Sequence, residues 1–282
     1  MKKIIIIGSG PAGITAGIYL SRAKMETVVI TNNQGSLKKA DLIENYYGFE
    51  QPISGTKLMD NGVNQYLNLG GNIITDEVVG LTYEDKLVVK GTKENYKADI
   101  VIIATGVSRL LPNIKGLSDE LGISYCAICD AFFYRGKDVV VLGNGSYAIS
   151  EADVLTKTSN SVTILTNGRE ITSETTIDVN KNKIKEVKKE NGIYSFIMED
   201  DTVLNTQGVF IAEGIAGAPA LAKKIGAKTE NNKILVNENM KTHIPNLYAI
   251  GDCIGGILQI SKAVYDGTVC ALNIIKENNK KE

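Results

Sequence analysis

Histidine, cysteine and net charge are all scarce in this sequence. One histidine, His243, stands among 282 residues, which is poor material for a zinc site and reads as structural rather than as a ligand or catalyst. The formal net charge of −1 supplies no bulk field to attract nucleic acid or a membrane surface. No stretch approaches the roughly 20 apolar residues of a bilayer span. The opening "MKKIIIIGSGPAGITAGIYL" places two lysines before an apolar run, as an export signal does. Gly8, Gly10, Pro11 and Gly13 interrupt that run, so it reads as folded structure and the chain as cytoplasmic. Cysteine occurs four times: Cys126 and Cys129 as one Cys-x-x-Cys pair, Cys253 and Cys270 alone. Without a second ligand pair, a lone Cys-x-x-Cys leans to redox chemistry, with two chance buried thiols as the alternative. No metal is expected.

What is present is ordinary globular material, 43% hydrophobic and 22% charged, long enough for two domains of roughly 100–150 residues. It also repeats itself. "KKIIIIGSGPAGITAGIYLSRAKMETVVIT" reads as strand, glycine turn, helix and strand. "KDVVVLGNGSYAISEADVLTKTSNSVTILT" follows the same plan without a gap, so that Gly8 matches Gly143 and Thr31 matches Thr166. Short alternating strands follow each copy, and each returns through an apolar strand ending in a small turn, "ADIVIIATG" and "TQGVFIAEG". The first copy lacks its last strand until "NLYAIGDCIGG" near the C-terminus. The pattern predicts an α/β protein of two Rossmann-like, three-layer ββα dinucleotide-binding domains with β-meanders, the second inserted into the first. The discontinuous first domain is expected over 1–111 and 243–282, and the inserted one over 112–242. The lysine-rich "NKNKIKEVKKENG" reads as a solvated strand edge.

In "GSGPAG", Gly8 allows the tight turn off the strand, Gly10 lets the backbone approach a pyrophosphate, and Gly13 lets helix and sheet pack closely. The helix N-terminus then offers free N–H groups and the positive end of its dipole. The acid usual on the ribose hydroxyl about 20 residues on is missing: Asn32, Asn33 and Gln34 occupy that stretch.

"GSGPAG", "ENYYG", "ATG", "CAICDAFFY" and "GDC", in that order, resemble the low-molecular-weight bacterial thioredoxin reductases over nearly the whole chain. The resemblance implies FAD held by Gly8, Ser9, Gly10, Pro11, Ala12 and Gly13, by Thr31, Asn32 and Ser36, and by Asn45. Thr105, Gly106, Gly251, Asp252, Gln259 and Ile260 complete the implied cofactor set. It further implies a Cys126–Cys129 disulfide that reduces thioredoxin, Asp130 as the acid for a leaving thiolate, and a homodimer. Exchange needs one thiolate, a partner one turn away and a nearby acid, which this motif supplies. Cys253 and Cys270 read as small packing hydrophobes.

The second domain departs from the family. Where NADPH-using members carry His-Arg-Arg and a later arginine to grip the 2′-phosphate, this chain has Thr166, Asn167, Gly168 and Thr172, with Arg169 one place off. No acid stands there for NADH. Tyr147 is expected to crowd the turn, and an arginine of the family is Leu258 here. This pattern resembles the ferredoxin-dependent flavin thioredoxin reductases of anaerobic clostridia, which implies reduced ferredoxin as electron donor and thioredoxin as acceptor. The rivals are an NADPH-dependent reductase with a divergent pocket, a ferredoxin–NADP reductase of similar shape, and a non-catalytic flavin and dithiol redox sensor.

Overall fold

The computed structural model describes residues 2–32, 35–106, 111–125, 127–213, 217–230 and 233–279, with backbone alone at Ser36, Lys39, Asp119, Ile128 and Cys129. Contacts within the chain divide it into two units, Met1–Ser108 with Gly217–Glu282, and Arg109–Ala216.

The first unit opens with β1 (Lys3–Ile7), α1 (Pro11–Arg22) and β2 (Glu26–Thr31). Ile4 to Ile7 are all buried, which is why a parallel strand covered on both faces carries a continuous apolar run rather than an alternating one. α1 starts at Pro11, whose ring fixes a helical φ where the missing N–H costs nothing. α2 (Gly55–Asn68) and β3 (Asn72–Thr75) follow, then a meander of β4 (Val78–Tyr83), β5 (Leu87–Gly91) and β6 (Asn95–Ala98), and then β7 (Ile100–Ile103).

The second unit contains α3 (Ala127–Asp130), β8 (Asp138–Leu142), α4 (Ser146–Leu155), β9 (Ser161–Leu165) and β10 (Asp178–Asn180). Its meander is β11 (Ile184–Glu190), β12 (Ile193–Met198) and β13 (Val203–Thr206), and its return strand is β14 (Gly208–Ile211). The chain then rejoins the first unit through α5 (Ala218–Lys224), β15 (Thr229–Glu230), β16 (Lys233–Ile234), β17 (Leu247–Ala249) and α6 (Ile260–Asn279).

The two sheets repeat the plan seen in the sequence. The first is parallel, in the order β17-β7-β1-β2-β3. The second is parallel, in the order β10-β9-β8-β14. Ile7 pairs with Ile30 and Leu142 with Leu165, so both glycine turns leave equivalent strand ends. In the first unit Ile4, Ile6, Ile100 and Ile102 share one core with Ala16 and Leu20 of α1 and Cys270 and Ile274 of α6. Each fully buried isoleucine or leucine among them contributes roughly 1.5–3 kcal/mol. α6 approaches α1 closely because residue 267 is glycine: a methyl there would collide with the Ala12 carbonyl. β11 is one of the two outer strands of its meander, bridged at Glu186 by Lys115, and Lys181, Lys183 and Lys185 in and before it pair with Glu170, Glu199 and Asp201 in exposed ion pairs.

Residues 217–242 pack with the first unit, where the sequence reading assigned them to the inserted domain. α5 lies against β4, with Lys224 Nζ donating to the Val79 carbonyl at 2.7 Å. That attachment is made by packing, which no local pattern announces. Among the described residues, no helix is long and apolar enough to cross a membrane.

Candidate functional site

The first glycine turn joins β1 to α1. The Gly8 N–H donates to the Ile30 carbonyl at 2.8 Å, and Gly8 holds φ +111°, the region that glycine tolerates best. A methyl on Gly13 would strike the Gly8 carbonyl oxygen, whereas one on Gly10 would meet nothing within 4 Å. The turn is therefore closed on its packing side and open at Gly10. Gly10 caps α1 without a side-chain hydrogen bond, and the first turn carries no acid. No acid of that first turn competes for the N–H groups and the dipole end of α1. Ser9 and Thr31 hydroxyls lie 2.8 Å apart, both buried, which ties the turn to the end of β2, where Asn32 follows.

Two further pairs of the expected residues follow the ends of strands of the same sheet. Thr105 and Gly106 follow β7, with Gly106 at φ +72°. The Thr105 hydroxyl is buried and has no hydrogen-bond partner among the described residues. Gly251 and Asp252 follow β17 in a short 3-10 turn, and a methyl on Gly251 would reach the Ala12 methyl at 3.0 Å. Burial raises the Asp252 carboxyl, Lys262 opposes that, and Asp266 adds to it. Asn45 Nδ2 donates to Gln259 Oε1 at 3.4 Å, and Ile260 begins α6. The side chain of Ser36, at the start of a 3-10 helix, lies outside the described residues.

Sequence reading missed Lys262. Its ammonium bonds Gly251 O at 2.8 Å, Gly255 O at 2.6 Å and Asp266 Oδ2 at 2.7 Å, while Asp266 accepts the Gly251 N–H at 3.0 Å. This i, i+4 pair on α6 clamps the Gly251–Gly255 turn, and its spacing was the available signal.

In the second unit Cys126 and the Cys129 side chain lie outside the described residues. Ser124 forms a bridge with Phe210, through N–H donation to Val209 O at 2.8 Å and acceptance from Ile211 N–H at 2.7 Å. So fixed, its hydroxyl donates to Asp130 Oδ2 at 2.7 Å. Glu151 on α4 accepts the Ala127 N–H at 2.6 Å, at the start of the dithiol helix. Beyond Asp130, Phe132 and Phe133 are 71% and 67% exposed and sit edge to face. Cys253 and Cys270 are buried, and burial pushes the Cys253 thiol up to about 12 and raises that of Cys270 further. Neither supplies a thiolate near neutral pH.

The second glycine turn keeps its form, since a methyl on Gly143 would collide with the Ala212 carbonyl as one on Gly8 would with that of Ala104. Its surroundings differ. Asn144 Nδ2 donates to Glu170 O at 2.9 Å, Thr172 donates to Asn144 O through its N–H at 2.9 Å and its hydroxyl at 3.2 Å, and the Ser146 and Ser173 hydroxyls are 3.1 Å apart. Segment 170–173 is thereby bonded across the turn and the first residue of α4. Arg169 pairs with the buried Glu213 carboxylate, and its Nε donates to Thr166 O at 3.0 Å.

Tyr147 does not crowd the turn as expected. The residue is 4% exposed and its side chain faces inward, with its hydroxyl donating to Tyr125 O at 3.1 Å. Second in α4, it lies on the buried side of that helix with Glu151, and the two together support the segment leading to the dithiol. Burial, and then the nearby Glu151 charge, raise its phenol well above the ordinary range.

Two dinucleotide-type units, the second carrying a Cys-x-x-Cys motif, define the class of dinucleotide-linked disulfide reductases. A family model described as pyridine nucleotide-disulphide oxidoreductase matches residues 2–267. The chain is 33% identical to a thioredoxin reductase of Rickettsia prowazekii, over 99% of this chain and 98% of the relative. The crystal structure of the atypical thioredoxin reductase TRi from Desulfovibrio vulgaris Hildenborough superposes with a TM-score of 0.88 at 33% identity, covering 98% of this chain and 99% of that one. A ferredoxin-flavin thioredoxin reductase from Clostridium acetobutylicum gives 0.71 at 30% identity, covering 99% and 98%. The chain belongs to the pyridine nucleotide-disulphide oxidoreductase family, on its thioredoxin reductase branch. Thioredoxin reductases of this family are FAD-binding flavoproteins, and FAD is the cofactor of this chain. The first unit fits it: an open Gly10, an uncapped helix N-terminus and a Thr105 hydroxyl without a partner among the described residues follow the ends of neighbouring strands.

Proposed function

We propose that this chain is an FAD-dependent thioredoxin reductase that receives electrons from reduced ferredoxin and works without a pyridine nucleotide. The observation that carries the donor assignment is the covered second turn. Segment 170–173 is bonded across it, and the single arginine of the degenerate block is engaged by Glu213. A 2′-phosphate bound there would forgo charge-assisted hydrogen bonds of roughly 1.5–3 kcal/mol each. Losing two or three of them weakens binding by about two to six orders of magnitude. The likeness to the clostridial ferredoxin-flavin enzyme supports the same reading.

Bound FAD supplies a carrier that takes electrons singly and yields them in pairs. Two electrons and two protons convert a Cys126–Cys129 disulfide to the dithiol. One thiolate then attacks the disulfide of thioredoxin, and the second cysteine resolves the mixed disulfide. Asp130, oriented by Ser124, is the proposed acid for the departing thiolate. Phe132 and Phe133 offer an exposed apolar pair beside the motif, suited to a protein partner. Through their hydrogen bonds to the Asp130 carboxylate and the Ala127 N–H, Ser124 and Glu151 position this segment, while Lys262 and Asp266 hold the turn assigned to the cofactor. The functional particle is proposed to be a homodimer, which light scattering tests directly.

NADPH, NADH and reduced ferredoxin, offered separately to the purified protein, test the donor. Ferredoxin should bleach the flavin and sustain thioredoxin turnover, while neither nucleotide does so at a useful rate. Rapid bleaching by micromolar NADPH with full turnover would instead establish the NADPH-dependent reductase. Flavin reduction without any turnover would favour a redox sensor.

A further inference from the structure

In dinucleotide folds a carboxylate at the end of the second strand receives the ribose hydroxyls, and here that strand ends in Thr31, with Asn32 following. The next strand ends beside it. Thr31 pairs with Thr75, and the Asp76 N–H donates to Thr31 O at 3.0 Å, so Asp76 and Glu77 continue past the sheet edge alongside Asn32.

These two acids are in opposite situations. Asp76 is saturated: its oxygens accept from the N–H groups of Glu77, Thr92 and Lys93, the Thr92 hydroxyl and the Tyr96 hydroxyl. Glu77 Oε1 is buried and has no hydrogen-bond partner among the described residues. The nearby ammonium of Lys93 is turned to the Thr75 carbonyl at 2.6 Å instead. An unpaired buried acceptor costs about 1–3 kcal/mol, and burial, reinforced by the Asp76 charge, raises the Glu77 carboxyl. A donor that arrives with a ligand removes that cost.

Another group at these strand ends without a hydrogen-bond partner among the described residues is the Thr105 hydroxyl beyond β7. In the order β7-β1-β2-β3, the ends of β7 and β3 are three strand spacings apart, roughly 14 Å at about 4.8 Å each. The open Gly10 turn leaves β1 between them. Two unsatisfied groups flanking a phosphate-binding turn at that separation suit a dinucleotide laid across the strand ends.

We propose that Glu77 recognises the adenosine end of FAD, taking from β3 the part that an acid at the end of β2 plays elsewhere. Its carboxylate accepts from the donors that end carries, ribose hydroxyls or the adenine amine. This rests on FAD as the cofactor of the first unit.

The test uses the full-length chain stripped of flavin, in wild-type, Glu77→Gln and Glu77→Ala forms, titrated with FAD, ADP and FMN. Glu77→Ala should weaken FAD and ADP on the order of tenfold or more, Glu77→Gln less, and FMN within twofold. Without flavin, Glu77→Ala should unfold at or above the wild-type temperature, because an orphaned buried acceptor is gone. Wild-type affinities for FAD and ADP in Glu77→Ala would overturn the proposal. So would an equal loss for FMN, or a marked drop in flavin-free stability, since either points to a structural role. Failure of the wild type itself to take up FAD would defeat the cofactor assignment as well, an outcome the variants alone do not produce.

Discussion

Cys253 shows how burial separates cysteines that look alike in sequence. Its thiol donates to Ile250 O at 3.1 Å within the first unit's interior, and burial pushes it up to about 12. Cys253→Ser should therefore leave thioredoxin turnover nearly intact. Cys126→Ser and Cys129→Ser should each abolish turnover while ferredoxin still reduces the flavin, because exchange cannot be completed with one sulfur. Steady-state and stopped-flow assays on the three variants check this, and a Cys253 variant as inactive as the others with FAD retained would refute it. Asp76 gives a pH-dependent counterpart. Burial acts to raise its carboxyl, but hydrogen bonds from Thr92, Tyr96, Lys93 and Glu77 outweigh that and hold it below its ordinary range. A carboxyl depressed on folding contributes stability above its unfolded value, near 4, and loses it as pH falls through the folded value. Asp76→Ala should cost at least about 2 kcal/mol at neutral pH by stranding buried donors, and chemical denaturation should show that penalty shrinking in acid.

At the scale of the element, the two glycines of the first turn make opposite predictions. Gly10 has an extended backbone at φ −71° and open space around a would-be Cβ. Gly10→Val should fold and purify colourless, since its side chain fills the phosphate's approach rather than a packed interior. Gly13→Val would drive a side chain into the Gly8 carbonyl and should lower the melting temperature as well as flavin content. Absorbance spectra and thermal melts distinguish the two, and a yellow Gly10→Val with normal FAD affinity would contradict the assigned path. The turn after β9 carries the same kind of lesson. Asn167 and Gly168 both have positive φ, 51° and 80°, Asn167 Oδ1 accepts the Ile184 N–H at 2.8 Å, and Thr166 is fully buried. Replacing 166–168 with His-Arg-Arg should fail to create NADPH-driven flavin reduction. The backbone there suits an Asn-Gly turn, and segment 170–173 remains in place. NADPH bleaching of that variant within seconds would show that the block alone was missing.

At the scale of the whole molecule, the sequence by itself determined the architecture. Strand–turn–helix–strand order, its gapless repetition and the delayed last strand of the first unit are local patterns, because strand burial and glycine turns are written in consecutive residues. The lost basic block at 166–168 was equally legible, as was the Cys-x-x-Cys-Asp motif. Tertiary structure decided what no periodicity encodes. It attached residues 217–242 to the first unit through α5 on β4 and turned Tyr147 inward to Tyr125 rather than over the turn. It brought Ser124 onto Asp130 and Lys262 onto the Gly251 turn, engaged Arg169 with Glu213 from the far side of the second meander, and left Glu77 Oε1 buried without a donor among the described residues. Each of these depends on which distant groups share a buried space. In such a space a polar atom must find a partner or remain at a cost, and sequence spacing carries no record of that distance.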